Sequence, residues 1–452
     1  MEKKIQRREF LGWGVGLAAA DIPLVFGAET GSVSPSSAPA VLASYSTAEH
    51  RKRIENIGVC ERRVQRCLRK HLVTSYIPGH ALYDVQNKTW DPDERDEQAL
   101  ARFRDAGIGL IQPWSNWADS SWGRNHLVAR NPGGFRRFVD LVHKYGMKVI
   151  PYTSTQFFER TDSNFREEWA WPKEHDLVEF DYHLAHCSPA SPGWRAHILP
   201  RIVRVMDEYG VDGLYNDLGY LRPADYPDFY GPRLPVAKDD AGAFDETPTH
   251  DGALADMLAL IYEEVKRRGG IYKLHKEGAD TVHTLMKVYD YLWIGEAVRD
   301  VDWLRKKTRE YAPYLVPQRL IRLKAGEEIE TFLNSIPYMR FPVMGHGQPG
   351  DQGAQYWTDF VKWLKLYRPM VEEGTWVYIE IGDSELFVRP LPEGVIASAF
   401  ANRDLYLVLA NYNRTPAEIA VSDEYVSAVS GGPLPGKIWN LAPRTFQVLR
   451  RA

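Results

Sequence analysis

Hydrophobic and polar positions follow two rhythms along the chain. From about residue 70 to 370, short apolar runs alternate with longer stretches in which apolar residues recur every three or four positions. That alternation predicts a parallel sheet with crossover helices. Strands are predicted at 72–77 (LVTSYI), 108–112 (IGLIQ), 147–152 (MKVIPY), 211–216 (VDGLYN), 270–275 (GIYKLH), 290–295 (DYLWIG), 312–317 (APYLVP) and 335–340 (SIPYMR). Helices are predicted over 94–106, 132–145, 192–209 and 251–268, each preceding a strand. Tyr145-Gly146, Tyr209-Gly210 and Arg268-Gly269-Gly270 supply helix stops, because glycine tolerates the left-handed conformation that ends a helix. Strand and helix alternating in this way predict a (β/α)8 TIM barrel. Past Thr375 the rhythm shortens to alternating runs at 375–380, 385–389, 395–400, 405–410, 417–421 and 445–449, separated by turn residues. No helix is predicted there, so the C-terminal part is expected to be an antiparallel β-sandwich.

The first residues follow neither rhythm. Arg7-Arg8, then Phe10-Leu11, then the apolar run Gly12 to Ala20 present a charged region followed by an apolar one. That order predicts a twin-arginine export signal. The run is short for a membrane span, and no other stretch is long and apolar enough. Residues 29–48 are rich in Ser, Pro and Ala and read as a linker. The expected organisation is a signal peptide over 1–28, a linker over 29–48, a catalytic barrel over 49–370 and a β-sandwich over 371–452. The expected location is periplasmic or secreted, in a bacterium.

Composition narrows the function classes. A formal net charge of -4 over 452 residues gives no basic surface for a nucleic acid. Three cysteines, Cys60, Cys67 and Cys187, are too few for a disulfide framework. No His/Cys spacing resembles a zinc site, and no metal or cofactor is expected. The 14 Trp and 24 Tyr are either core filling or flat faces that stack on sugar rings.

In a barrel, chemistry sits where the strands end. Asp217 falls at the tip of the fourth predicted strand, and Glu296 directly follows the sixth. Asp212 starts the fourth strand, at the opposite end, and is expected to be structural. Two carboxyls facing one mouth suit glycoside hydrolysis. One is protonated to release the leaving oxygen, and the other is ionised to attack the anomeric carbon or activate water. The plainer readings are a helix cap or turn for Asp217 and an ion pair with Arg299 for Glu296.

Gly210-Val-Asp-Gly-Leu-Tyr-Asn-Asp217 resembles the fourth-strand motif of several α-glycosidase barrels, notably the melibiase (α-galactosidase) superfamily and the endo-α-N-acetylgalactosaminidases. A second likeness lies in the C-terminal Leu441-Ala-Pro-Arg-Thr-Phe-Gln-Val-Leu449. The resemblance implies a retaining glycosidase acting on α-linkages, with Asp217 as nucleophile and Glu296 as acid/base. Tyr215 stands where melibiases carry the lysine of a Lys-x-Asp signature, so the likeness does not extend to galactoside specificity.

Substrate contacts are expected from other strand-tip residues. Trp114 and Trp117, with Trp122, are either a sugar platform or a packed loop. Alternation places Lys273 and His275 on one face of the fifth strand, where they could hold sugar hydroxyls. Glu277 is the rival acid/base, as in amylase-type barrels. Tyr215, Arg299 and Arg340 complete the expected binding set, with His80, Gln156 and Gln318 as further strand-tip candidates. Asp181 to Ser191, which carries His183 and His186, is expected to be a loop over the mouth. The partner implied is an oligosaccharide, polysaccharide or glycoconjugate. Two other classes remain open: a non-catalytic carbohydrate-binding barrel, and a metal-dependent hydrolase on the same fold.

Overall fold

The computed structural model describes residues 77–452 except 78, 86, 88, 119–125, 180–181, 218–233, 236–245, 248–249, 276–288, 294–315, 322–332, 334–335, 339–340, 345–353, 372–375, 379–380 and 402. The expected signal and linker, Cys60, Cys67, Trp122, Asp181, Glu277, Glu296, Arg299 and Arg340 lie outside the described residues.

The strands in chain order are β1 (His80–Tyr83), β2 (Leu110–Pro113), β3 (Lys148–Val149), β4 (Tyr152–Ser154), β5 (Phe157–Glu159), β6 (Leu177–Glu179), β7 (Tyr182–His186), β8 (Gly213–Asp217), β9 (Leu234–Pro235), β10 (Glu246–Thr247), β11 (Ile271–His275), β12 (Tyr291–Trp293), β13 (Val316–Ile321) and β14 (Phe341–Met344). Between them run the helices α1 (Glu94–Ala106), α2 (Pro132–Lys144), α3 (Pro192–Tyr209) and α4 (His250–Arg267), and α5 (Ala354–Tyr367) follows β14. The expected helices are found within a residue at each end. Their stops are real: Gly146, Gly210 and Gly269 all take positive φ, at 74°, 68° and 70°. Helix α2 shows why periodicity works, since Phe135, Phe138, Val139 and Val142 form one buried stripe.

Nine strands form one sheet in the order β3-β2-β1-β14-β13-β12-β11-β8-β4. All its pairs are parallel. Its two end strands, β3 and β4, are one segment interrupted at Ile150 and Pro151. Ile150 N–H donates to Ile111 O at 2.9 Å, while Pro151 O accepts from Tyr215 N–H at 2.9 Å. The segment therefore joins β2 on one side to β8 on the other, and the sheet returns on itself. A side chain confirms the enclosure. Lys273 Nζ on β11 lies 2.8 Å from Gln112 Oε1 on β2 and 3.4 Å from His80 Nδ1 on β1. Along the sheet, β11 and β1 are four strand spacings apart, about 19 Å. A lysine bridges them only across an enclosed interior.

The first described strand of the sheet lies at His80–Tyr83; of the expected strand at 72–77 only Ile77 is described. At the last, Ile336–Tyr338 is a short 3-10 turn, and the strand begins at Phe341. The seventh starts at Val316, near the end of its expected span of 312–317.

The C-terminal part holds β15 (Trp376–Tyr378), β16 (Val395–Ala401), β17 (Leu405–Asn411), β18 (Ala417–Ala420), β19 (Tyr425–Ser427), β20 (Ile438–Leu441) and β21 (Thr445–Arg451). Five pair in the order β15-β16-β17-β21-β19, and β18 pairs with β20, all antiparallel. The expected strand at 385–389 is a run of turns with a bridge from Phe387 to Val421. One face of the larger sheet (Ala397, Ala399, Leu407, Leu409) packs on Ile419 and Leu441 of the smaller one. The other face (Ile396, Phe400, Tyr406, Val408) joins the core around Phe360 and Leu364 of α5.

Candidate active site

The inner face of the ring is unusually polar. Alternation along β8 sends Tyr215 and Asp217 inward and Leu214 and Asn216 outward. Outside, Asn216 Nδ2 donates to Tyr272 Oη at 2.7 Å and to Thr155 Oγ1 at 3.0 Å, beneath α3. The same alternation on β11 sends Lys273 and His275 inward and Tyr272 outward, as expected from the sequence.

Asp217 ends β8 and is 8% exposed. Three side chains converge on its carboxylate. Tyr152, from β4, donates to Oδ2 at 2.8 Å. Tyr215 donates to Oδ1 at 3.1 Å. His275 hydrogen-bonds Oδ1 through Nδ1. Tyr215 Oη also lies 3.0 Å from His275 Nδ1. Strands β4, β8 and β11 are neighbours in the sheet, so three successive strands hold one carboxylate by its edge. Each of those strands is short and pinned by its ladder, which fixes where the side chains point.

One layer below sits Lys273, fully buried. Its ammonium lies 5.0 Å from the centre of the Tyr215 ring. Burial pushes its pKa well below the ordinary lysine value, and the charge of Asp217 opposes that shift. Expected as a substrate contact, Lys273 is placed instead under the site, where it ties β11 to Gln112 and His80. His80, offered as a strand-tip candidate, belongs to the same lower layer.

The two tryptophans separate. Trp117 has no exposed surface and is core. Its ring stacks on Phe135 at 4.7 Å, and its Nε1 donates to Tyr152 O at 2.8 Å. The sugar-platform expectation is thereby corrected for Trp117: it is fully buried, with Phe135 stacked on its ring and Tyr209 packed edge-on against it. Trp114 is half-buried at the mouth, its ring 5.7 Å from that of Tyr152. Its backbone N–H donates to Asp84 Oδ1 at 3.3 Å, and Asn116 Nδ2 donates to Asp84 Oδ2 at 3.1 Å.

Asp212, at the other end of β8, is structural as expected. It accepts from Lys148 Nζ at 2.6 Å and from Val149 N–H at 2.9 Å, and its Oδ2 lies 2.7 Å from His143 Nε2. Burial alone would raise its pKa, but the hydrogen bond and charge of His143, with Lys148, hold it below the usual carboxylate range. The expected loop at Asp181 to Ser191 is largely strand β7, antiparallel to β5 and β6. His186 there lies 3.0 Å from Gln156 Nε2. Gln318 lies in β13. Among the described residues no three His, Cys, Asp or Glu side chains cluster as metal ligands, and no helix is long and apolar enough to cross a membrane.

Sequence reasoning missed Tyr152 and Asp84. Tyr152 ends a predicted strand, and the inward parity of that strand would have placed it beside Asp217. Asp84 follows β1, a strand that the apolar pattern does not reveal.

No protein-family profile matches the sequence, and no curated protein is similar to it. Solved structures do share its fold. An α-amylase from Geobacillus thermoleovorans, in complex with acarbose, superposes with a TM-score of 0.53 at 10% identity, covering 83% of this chain and 98% of that one. An α-amylase from Lactobacillus plantarum gives 0.53 at 11% identity, covering 82% and 99%. A GH27 β-L-arabinopyranosidase from Geobacillus stearothermophilus gives 0.52 at 12% identity, covering 84% and 97%. These neighbours are (β/α)8 glycosidases with C-terminal β domains. At such identities the likeness is one of fold, and it spans both the parallel and the antiparallel part of this chain.

Proposed function

We propose that this chain is a retaining glycoside hydrolase acting on α-linked sugars, built as a (β/α)8 barrel with a C-terminal β-sandwich. The observation that carries the reading is the Asp217 carboxylate, held by Tyr152, Tyr215 and His275 at the end of a parallel strand. The hydroxyl donors fix the direction in which the carboxylate points. An oriented carboxylate at a strand tip is what nucleophilic attack on an anomeric carbon requires.

In this reading an Asp217 oxygen bonds to the anomeric carbon as the glycosidic C–O bond breaks. Glu296 gives its proton to the leaving oxygen. Glu296 then takes a proton from water, whose oxygen displaces Asp217 from the same carbon, so the configuration is retained. Glu277 is the alternative acid/base, two residues beyond His275. Trp114 offers the aromatic face at the mouth. Arg299 and Arg340 remain proposed substrate contacts, and the proposed substrate is an oligosaccharide or glycoconjugate met after twin-arginine export.

The test is hydrolysis of a panel of aryl α- and β-glycosides, with proton NMR of the first-formed anomer, for the wild type and for Asp217→Asn, Glu296→Gln and Glu277→Gln. Expected are α-glycoside cleavage with retention, and loss of at least a thousandfold in turnover for Asp217→Asn and Glu296→Gln. An Asp217→Asn variant with full activity would overturn the reading. Loss in Glu277→Gln with Glu296→Gln intact would move the acid/base to Glu277.

A further inference from the structure

Ser154 is a polar residue at the site that the network around Asp217 does not use. It ends β4 in register with Asp217, so the two Cα atoms face each other across neighbouring strands. Parity fixes its direction. Tyr152, two residues earlier, points inward and bonds Asp217. Thr155 bonds Asn216 and lies on the outer face. Ser154 therefore points inward, into the same layer as Asp217 and His275. It is 1% exposed, and its Oγ has no hydrogen-bond partner among the described residues.

A buried hydroxyl without a partner is costly, about 1–3 kcal/mol. Tyr152, Tyr215 and His275 each hydrogen-bond the Asp217 carboxylate, and Ser154 Oγ does not. The strand that carries it lies a single spacing, about 4.8 Å, from the strand of the residue proposed to attack the sugar. A sugar whose anomeric carbon stands against Asp217 presents two groups one bond away. One is the ring oxygen. The other is the carbon bearing the 2-hydroxyl, which can both donate to and accept from a serine.

We propose that Ser154 is a substrate-contacting residue whose Oγ hydrogen-bonds the 2-hydroxyl of the sugar bound at Asp217. This rests on the glycosidase reading above. Contacts to that hydroxyl strengthen as the ring flattens toward the oxocarbenium-like transition state. The contact therefore contributes to kcat/KM through both binding and turnover.

The experiment is a double-mutant cycle between Ser154→Ala and substrate. The 4-nitrophenyl glycoside best cleaved in the panel is compared with its 2-deoxy and 6-deoxy analogues, and thermal unfolding of both proteins is followed in parallel. Expected is a loss of about tenfold in kcat/KM on the parent and the 6-deoxy sugar, with less than twofold on the 2-deoxy sugar. The unfolding temperature should stay equal or rise, because alanine removes an unpartnered polar atom. Equal losses on all three sugars, or no loss on the parent, would overturn the contact while leaving the glycosidase reading in place. A drop of several degrees in unfolding temperature would also overturn it, since the hydroxyl would then have a structural partner. If the wild type cleaves no glycoside, both readings fall together.

Discussion

Replacing Lys273 with Met asks whether the centre of the ring holds a charge. The lysine is fully buried, and burial drives its pKa well down against the opposing pull of Asp217. In the unfolded chain it titrates near 10.4. Between the two values the unfolded chain holds one more proton than the folded one. Folding is penalised across that window, and stability rises with pH until the unfolded lysine also loses its proton. One proton corresponds to about 1.4 kcal/mol per pH unit, so between pH 7 and 9 the contribution reaches at most about 2.7 kcal/mol. Methionine has similar bulk and no proton to lose. It removes the donor to Gln112 Oε1, a pH-independent cost of about 1–3 kcal/mol. Lys273→Met should therefore gain stability relative to the wild type as the pH falls from 9 to 7, by at most about 2.7 kcal/mol. Urea unfolding at pH 7, 8 and 9, read by tryptophan fluorescence, measures this, since Trp90, Trp117 and Trp194 all lie in the same core. Parallel curves for the two proteins would refute the argument: Lys273 would then carry its proton equally in both states.

Tyr152→Phe removes the donor to Asp217 Oδ2 and little else in volume; kcat on a cleaved glycoside should fall about ten- to a hundredfold, as for a hydrogen bond to a charged group. An unchanged kcat would mean that Asp217 does not depend on that bond. Trp117→Ala should cost about 3–5 kcal/mol of stability by chemical denaturation, while Trp114→Ala should leave stability within about 1 kcal/mol and raise KM. The reverse order would exchange their roles. Gly213→Ala places a Cβ 1.8 Å from Ile271 O, so the β8–β11 pairing cannot form as it stands. Soluble, fully active Gly213→Ala protein would contradict the strand register.

The legible parts of the fold were those where local chemistry and tertiary environment agree. Helices α1 to α4 carry a stripe and a glycine stop, and both survive folding unchanged. Strands β8 and β11 alternate cleanly, so the inward parity of Tyr215, Asp217, Lys273 and His275 could be read directly. The strand at His80-Ala-Leu-Tyr83 is not legible, because an inward histidine serves the polar interior and spoils the apolar signal. At the last, SIPYMR has the apolar content of a strand, but its Ile336–Tyr338 forms a 3-10 turn and the strand follows it. The turns at 385–389 carry ELFVR, whose apolar residues dock as a loop onto the C-terminal core. Lys273 could be given a face but not a depth: alternation says inward, and only the ring's closure shows that inward at mid-strand means sealed.

The inner face also explains why so many polar residues can be gathered without a metal-like cluster of charges. Barrel interiors are usually filled by branched apolar side chains. Here Tyr152, Tyr215 and His275 gather around Asp217, and Lys273, Gln112 and His80 around one another, with the Lys273 side chain beneath the Tyr215 ring. Such a set is rigid because moving one member strands the next. Rigidity is what a reacting carboxylate needs, since a misplacement of about 1 Å costs on the order of a hundredfold in rate. Under the proposed function, Asp217, Ser154 and Trp114 would meet the substrate, while Lys273, with Gln112 and His80, holds the strands beneath them. Substitutions beneath the site should then act on kcat through position, and those at Ser154 and Trp114 should discriminate between sugars.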